Sequence, residues 1–122
     1  MNQPDEHPCF RAIVSAIEVI SGKWSYSVIS QLCQGTQRFN QLRRNLPGIS
    51  IKSLTDTLRH LEQRGIISRN VVPTVPVTVE YALTESGKAF NEVLVRMRDW
   101  GGTWGRYNLD EDSHSFTETS SP

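Results

Sequence analysis

Apolar residues recur along the chain with two periods, and the change between them marks out its elements. From Phe10 to Ile20 the period is helical: Phe10, Ile13, Val14, Ile17 and Ile20 share one face, and Gly22 closes the helix. A second helix is predicted from about Trp24 to Cys33, burying Trp24, Val28, Ile29 and Leu32 and stopping at Gly35. Phe39, Leu42 and Leu46 fall at i, i+3 and i+7 of a third helix, with Asn40 as its N-cap and Pro47 unable to continue it. Gly48 supplies a turn. Ser50 is then placed to cap a fourth helix with an inward stripe of Ile51, Leu54, Leu58 and Leu61, and Gly65 is its left-handed terminator.

After Gly65 the period falls to two. Ile67, Arg69 and Val71 alternate on one strand, and Val77, Val79, Tyr81 and Leu83 on another. Pro73 and Pro76 between them exclude a central strand but suit the tip of a two-stranded hairpin. Thr84 caps a last helix, with Glu85 in its favourable first turn. That helix carries Phe90, Val93, Leu94, Met97, Trp100 and Trp104, more apolar surface than one small domain readily covers. Either these residues close the monomer core, or the excess forms a dimer interface with the Phe10–Ile20 helix; apolar patches of this extent favour the second. The expected interface residues are Phe10, Ile13, Ile17, Leu94, Met97, Trp100 and Trp104. Gly101 and Gly102 weaken the helix, and either end it or allow a partner to approach closely.

The predicted fold is therefore α+β: a helix-turn-helix followed by a β-wing, with added N- and C-terminal helices. Residues 1–8 read as a flexible lead-in, 9–105 as one DNA-binding and dimerisation domain, and 106–122 as a polar, disordered tail. The fourth helix turns Lys52, Ser53, Asp56, Arg59, His60 and Gln63 away from its apolar stripe, with Thr55 and Thr57 on the flanks. A charged face alone is usually just solvated. Behind a short helix and a Gly-containing turn it becomes the surface that enters the major groove of DNA, where side chains meet base edges and phosphates.

Charge first argues against that partner and then for it. The chain of 122 residues has a formal net charge of zero, whereas nucleic-acid binders are usually basic. Residues 11–69, however, hold nine Lys or Arg against three Asp or Glu, a net of +6, and residues 70–122 hold four against eight, a net of −4. The positive field thus falls on the helix-turn-helix half. No run of 18 apolar residues exists and no basic-then-apolar leader opens the chain, so a cytoplasmic protein without a membrane span is expected. Two cysteines, Cys9 and Cys33, cannot form a secreted disulfide scaffold and are expected to be reduced. His7, His60 and His114 have no metal-ligand spacing with them, and neither a phosphate loop nor a nucleophile motif is present. Neither an enzyme nor a cofactor is expected.

Several motifs stand together in an order that resembles one family. Cys9 precedes an amphipathic helix, followed by Gly22-Lys23-Trp24, Gly35 and Arg38-Phe39-Asn40-Gln41-Leu42-Arg43-Arg44. Leu46-Pro47-Gly48-Ile49-Ser50, Leu54-Thr55, Leu58-Arg59-His60-Leu61-Glu62, Val79-Glu80-Tyr81-Ala82-Leu83-Thr84 and Asp99-Trp100-Gly101 complete the set. Across residues 9–105 the chain resembles the HxlR family of bacterial winged-helix transcriptional regulators. The resemblance implies a homodimer paired through its first and last helices. It would bind a palindromic operator in double-stranded DNA as a repressor, with half-sites about 34 Å apart or a multiple of that. Two positions depart from the pattern: Ile51, where members often carry Gln, and Thr78, where they often carry a basic residue after the wing prolines. The first suggests a different base preference, and the second leaves the wing little charge for phosphate or minor-groove contact.

The residues expected to meet base edges are Lys52, Ser53 and Asp56, with Thr55 and Thr57 beside them; Arg43, Arg44, Arg59 and Arg69 are the phosphate candidates. Cys9 is the candidate redox sensor. Some members of the family respond to electrophiles or oxidants through a cysteine at this position, and here a helix start with Arg11 nearby favours the reactive thiolate. The alternative for Cys9 is a structural cysteine packed at the dimer interface. Cys33 is read as a core residue, an inter-subunit bridge to Cys9 being the lesser option. The rival to operator binding is a winged helix used only as a protein-interaction module, supported by the zero net charge and the uncharged wing. A DNA affinity that falls steeply with salt separates the two.

Overall fold

The computed structural model describes residues 7–105. Residues 1–6 of the expected lead-in, and all of the expected tail over 106–122, lie outside the described residues. In chain order the elements are α1 (Pro8–Val19), α2 (Ser25–Leu32), β1 (Gln37–Arg38), α3 (Phe39–Asn45), α4 (Ile51–Gln63), β2 (Ile67–Val72), β3 (Thr78–Leu83) and α5 (Glu85–Trp104). α1 opens one residue before Cys9: Pro8 takes the first helical position, and the His7 ring accepts a hydrogen bond from the Cys9 N–H at 3.1 Å.

α3, its turn and α4 form the helix-turn-helix. In the turn Gly48 adopts φ +89° and the Ile49 N–H donates to the Leu46 carbonyl at 3.1 Å. α4 begins at the expected cap, where the Ser50 hydroxyl accepts from the Ser53 N–H at 3.0 Å. It ends as expected with Gly65 in the left-handed region, φ +75°. β2 and β3 pair in register from Ile67 opposite Leu83 to Val72 opposite Thr78, forming the wing. β1, which no sequence pattern marks, is a two-residue strand added to β3 on the side away from β2, so the sheet is antiparallel with order β1-β3-β2.

The core lies between the helices and the base of the wing. Val28, Ile29 and Leu32 of α2 meet Leu42 of α3, Leu54, Leu58 and Leu61 of α4, Ile66, Tyr81, and Phe90 and Leu94 of α5. A buried polar link fixes α2 to α3. The Gln37 amide donates to the Gln31 carbonyl at 2.8 Å, and Asn45 donates to Gln37 Oε1 at 3.1 Å. Thr84 caps α5 by accepting from the Gly87 N–H at 3.0 Å, and α5 continues through Gly101 and Gly102 to Trp104, so the glycine pair does not end it.

Four expectations need correction. Ile51, expected in the inward stripe of α4, is 54 % exposed, because at the first helical position the stripe has not yet turned onto the core. Leu94, expected at a dimer interface, is only 6 % exposed in the single chain and packs in its core. Cys33, expected in the core, is exposed at the end of α2. α3 starts at Phe39, not after an Asn40 cap, because the Gln41 side chain reaches back to accept from the Arg38 N–H at 2.8 Å.

Candidate nucleic-acid interface

Amphipathicity decides which side of α4 is free. Leu54, Leu58 and Leu61 hold one side against the core, which leaves Lys52, Asp56 and Arg59 on the exposed side and Thr55 and Thr57 half-buried at its edges. Lys52 Nζ and Asp56 Oδ2, one turn apart, are 2.7 Å from each other. The hydrogen bond from Lys52, aided by the charges of Lys52 and Arg59, holds the Asp56 carboxyl below its ordinary value. Ser53 stands apart from these. Its N–H donates to the Ser50 hydroxyl, and its own hydroxyl oxygen accepts from that group at 3.0 Å, so it is drawn into the cap.

The arginines divide by partner. Arg38 pairs with Glu80 of β3 at 3.8 Å and Arg64 with Glu18 of α1 at 3.2 Å. Arg43, Arg44, Arg59 and Arg69 are exposed, and among the described residues none of them forms an ion pair. Arg43 and Arg44 occupy the last turn of α3, Arg59 the third turn of α4, and Arg69 the strand that leads into the wing. A cleft of about 790 Å³ between α3 and the wing is walled by Arg38, Asn40, Gln41, Arg44, Thr78 and Glu80. The tip of the wing carries Val75, fully exposed, and Val77, 62 % exposed.

His60 belongs to a different task from the one the sequence assigned. Its Nε2 donates to the Glu18 and Val19 carbonyls at 2.9 and 3.1 Å, satisfying the last turn of α1. With the Arg64–Glu18 pair it clasps α4 to α1. No local signal marks this contact, since the partners are 41 and 42 residues apart in the chain.

α1 fully buries only Val19, with Val14 and Ala16 half-buried, and the remainder of its apolar face is open: Phe10 is 43 %, Ile13 60 % and Ile17 56 % exposed. Val93, Met97, Trp100 and Trp104 continue an exposed apolar surface along α5. A shallow groove between the two helices is lined by Ala12, Ala16, Ala89, Phe90 and Val93. Cys9, in the first turn of α1, is exposed, and both cysteines are free. Burial pushes the Cys33 thiol above its ordinary value. Among the described residues no group of three or more His, Cys, Asp or Glu is placed to hold a metal ion, and no helix is long and apolar enough to cross a membrane.

A tri-helical core, a helix-turn-helix with a capped and outward-facing second helix, and a β-wing directly after it define a winged-helix transcriptional regulator with a helix-turn-helix DNA-binding fold. Residues 19–108 match the HxlR-like helix-turn-helix model, and the chain belongs to that family. It is similar to the HTH-type transcriptional regulator sll1512 of Synechocystis sp., 40 % identical over 85 % of this chain and 81 % of the relative. Among solved structures, the redox regulator HypR in its oxidized form is 39 % identical, covers 74 % of this chain and 93 % of its own, and has a TM-score of 0.67. The transcriptional regulator YodB of Bacillus subtilis in its reduced form is 33 % identical over 82 % of this chain and 95 % of its own, with a TM-score of 0.70.

Proposed function

We propose that the protein is a cytoplasmic repressor that binds a palindromic operator as a homodimer and is controlled by thiol modification of Cys9. The observation that carries operator binding is the outward face of α4, with Lys52, Asp56 and Arg59 in one row and the unpaired Arg43 and Arg44 behind it. In this reading α4 lies in the major groove. Lys52 and Asp56 meet base edges, with Thr55 and Thr57 at the sides and Ser53 fixing the cap, while Arg43, Arg44, Arg59 and Arg69 contact phosphates.

Pairing through α1 and α5 supplies the second α4. A 12-residue helix that fully buries only one side chain is marginal by itself, and a partner's apolar surface against Phe10, Ile13, Ile17, Met97, Trp100 and Trp104 would stabilise it. Cys9 then stands on an interface helix, which α4 grips at its other end through His60 and Arg64. Oxidation or alkylation of Cys9 by a quinone, hypochlorite or similar agent would disturb how the two α4 helices are held. The similar protein HypR is a redox regulator solved in oxidized and reduced forms, which favours this control over a purely structural cysteine.

The test is a mobility-shift titration of DNA from upstream of its own gene, with and without a thiol-reactive quinone. Quinone is expected to release the native protein and Cys33→Ser but not Cys9→Ser. Equal release of native protein and Cys9→Ser would remove the sensor. Arg59→Ala is expected to weaken binding to all sequences and to lower the salt slope by about one; an unchanged slope would remove its phosphate role.

A further inference from the structure

Asp56 is the one carboxylate in the first two turns of α4, and it stands on the exposed side. A bare negative charge there would oppose the approach of DNA phosphates. Lys52 neutralises it from one turn away, Nζ to Oδ2 at 2.7 Å. The pair does little for the fold, since the two side chains are 85 % and 53 % exposed and exposed i,i+4 pairs are weak. It does, however, fix an ammonium and a carboxylate side by side on the part of the helix that enters the groove.

That juxtaposition has a counterpart in DNA. In a G·C pair, guanine O6 and cytosine N4 hydrogen-bond each other, so the major groove presents an acceptor and a donor about 2.9 Å apart. Guanine N7, a second acceptor, lies beside O6. The Lys52 ammonium has three N–H donors; Asp56 takes one, which leaves two for N7 and O6. The carboxylate has about four lone-pair sites, of which Lys52 occupies one, leaving room for the N4–H of cytosine.

We propose that Lys52 and Asp56 act as one unit that reads a single G·C base pair in each half-site, Lys52 on guanine N7 and O6 and Asp56 on the amino group of the paired cytosine. The proposal rests on the operator-binding reading above and adds to it the identity of one base pair and its orientation. An A·T or T·A pair offers no two adjacent acceptors, and a reversed C·G pair sets its acceptors under the carboxylate. Each alternative leaves an ammonium hydrogen or the carboxylate unmatched.

Selection of bound duplexes from random DNA, carried out with the full chain and with Lys52→Ala and Asp56→Ala, tests this. The native protein is expected to enrich half-sites with one fixed G·C pair, and A·T at that position to bind about tenfold more weakly. Placing 7-deazaguanine there, which lacks the N7 acceptor, is expected to weaken the native protein but not Lys52→Ala. Asp56→Ala is expected to lose preference at this position alone. Enriched half-sites without a fixed G·C pair, or with one whose preference survives both substitutions, would overturn the inference and leave operator binding standing. Failure to enrich any sequence would overturn both.

Discussion

Gly87 is where a single methyl group matters most. It lies in the first turn of α5, and a Cβ built there would collide with the Ile66 carbonyl and press on the Leu83 side chain. The obstacle is backbone and cannot turn aside. Gly87→Ala is expected to destabilise the fold by about 1–3 kcal/mol, seen as a lower midpoint in urea denaturation; an unchanged midpoint would show that α5 shifts freely. Cys33 shows how surface exposure and reactivity part company. Although exposed, its thiol is raised by the burial of its surroundings, so at neutral pH it stays protonated. Its alkylation by iodoacetamide is expected to be slow at pH 7 and to climb only in alkaline solution, past the ordinary thiol value; mass spectrometry of each cysteine follows it. Asp56 shifts the opposite way. Lys52 lowers its pKa, so the ion pair is complete above the ordinary carboxylate range and is lost only as pH falls below it.

At the scale of elements, the parts that local chemistry determines were legible. Ser50 and Thr84 hold the caps assigned to them, Gly65 terminates α4, and the shift from helical to alternating periodicity marks the wing. Contacts between distant segments were not legible. β1 is two residues long and exists only because β3 lies beside it, and Ile51 and Leu94 changed sides because periodicity shows which residues share a face but not where packing begins. His60 is the clearest case: it looked like a member of the charged face and is instead the anchor of α1. His60→Ala would leave the Val19 carbonyl without its donor, while the Glu18 carbonyl keeps the Ser21 hydroxyl at 2.9 Å. A loss of about 1–2 kcal/mol is expected, together with faster amide exchange in α1 than in α2. Uniform exchange across both helices would show that the clasp does not hold α1.

For the whole molecule, α1 and α5 flank a shallow groove and both expose apolar side chains, while the positive charge gathers on the helix-turn-helix. Trp100 and Trp104, 64 % and 74 % exposed, are the largest apolar groups that the proposed pairing would cover. Trp100→Glu, a change at a mostly exposed side chain, is expected to yield a folded monomer by sedimentation equilibrium and to bind DNA at least tenfold more weakly, because two linked half-site contacts become one. A Trp100→Glu dimer of native affinity would place the interface elsewhere.

We propose a dimeric, sequence-specific operator binder. It is tested most directly by measuring the affinity of the selected duplex and of a scrambled duplex across a series of salt concentrations. The expected result is a palindrome with half-sites about 34 Å apart, bound at least a thousandfold more tightly than the scrambled duplex. Log affinity should fall linearly with log salt. Equal affinity for both duplexes, or an affinity indifferent to salt, would rule out sequence-specific operator binding and favour a winged helix that binds protein.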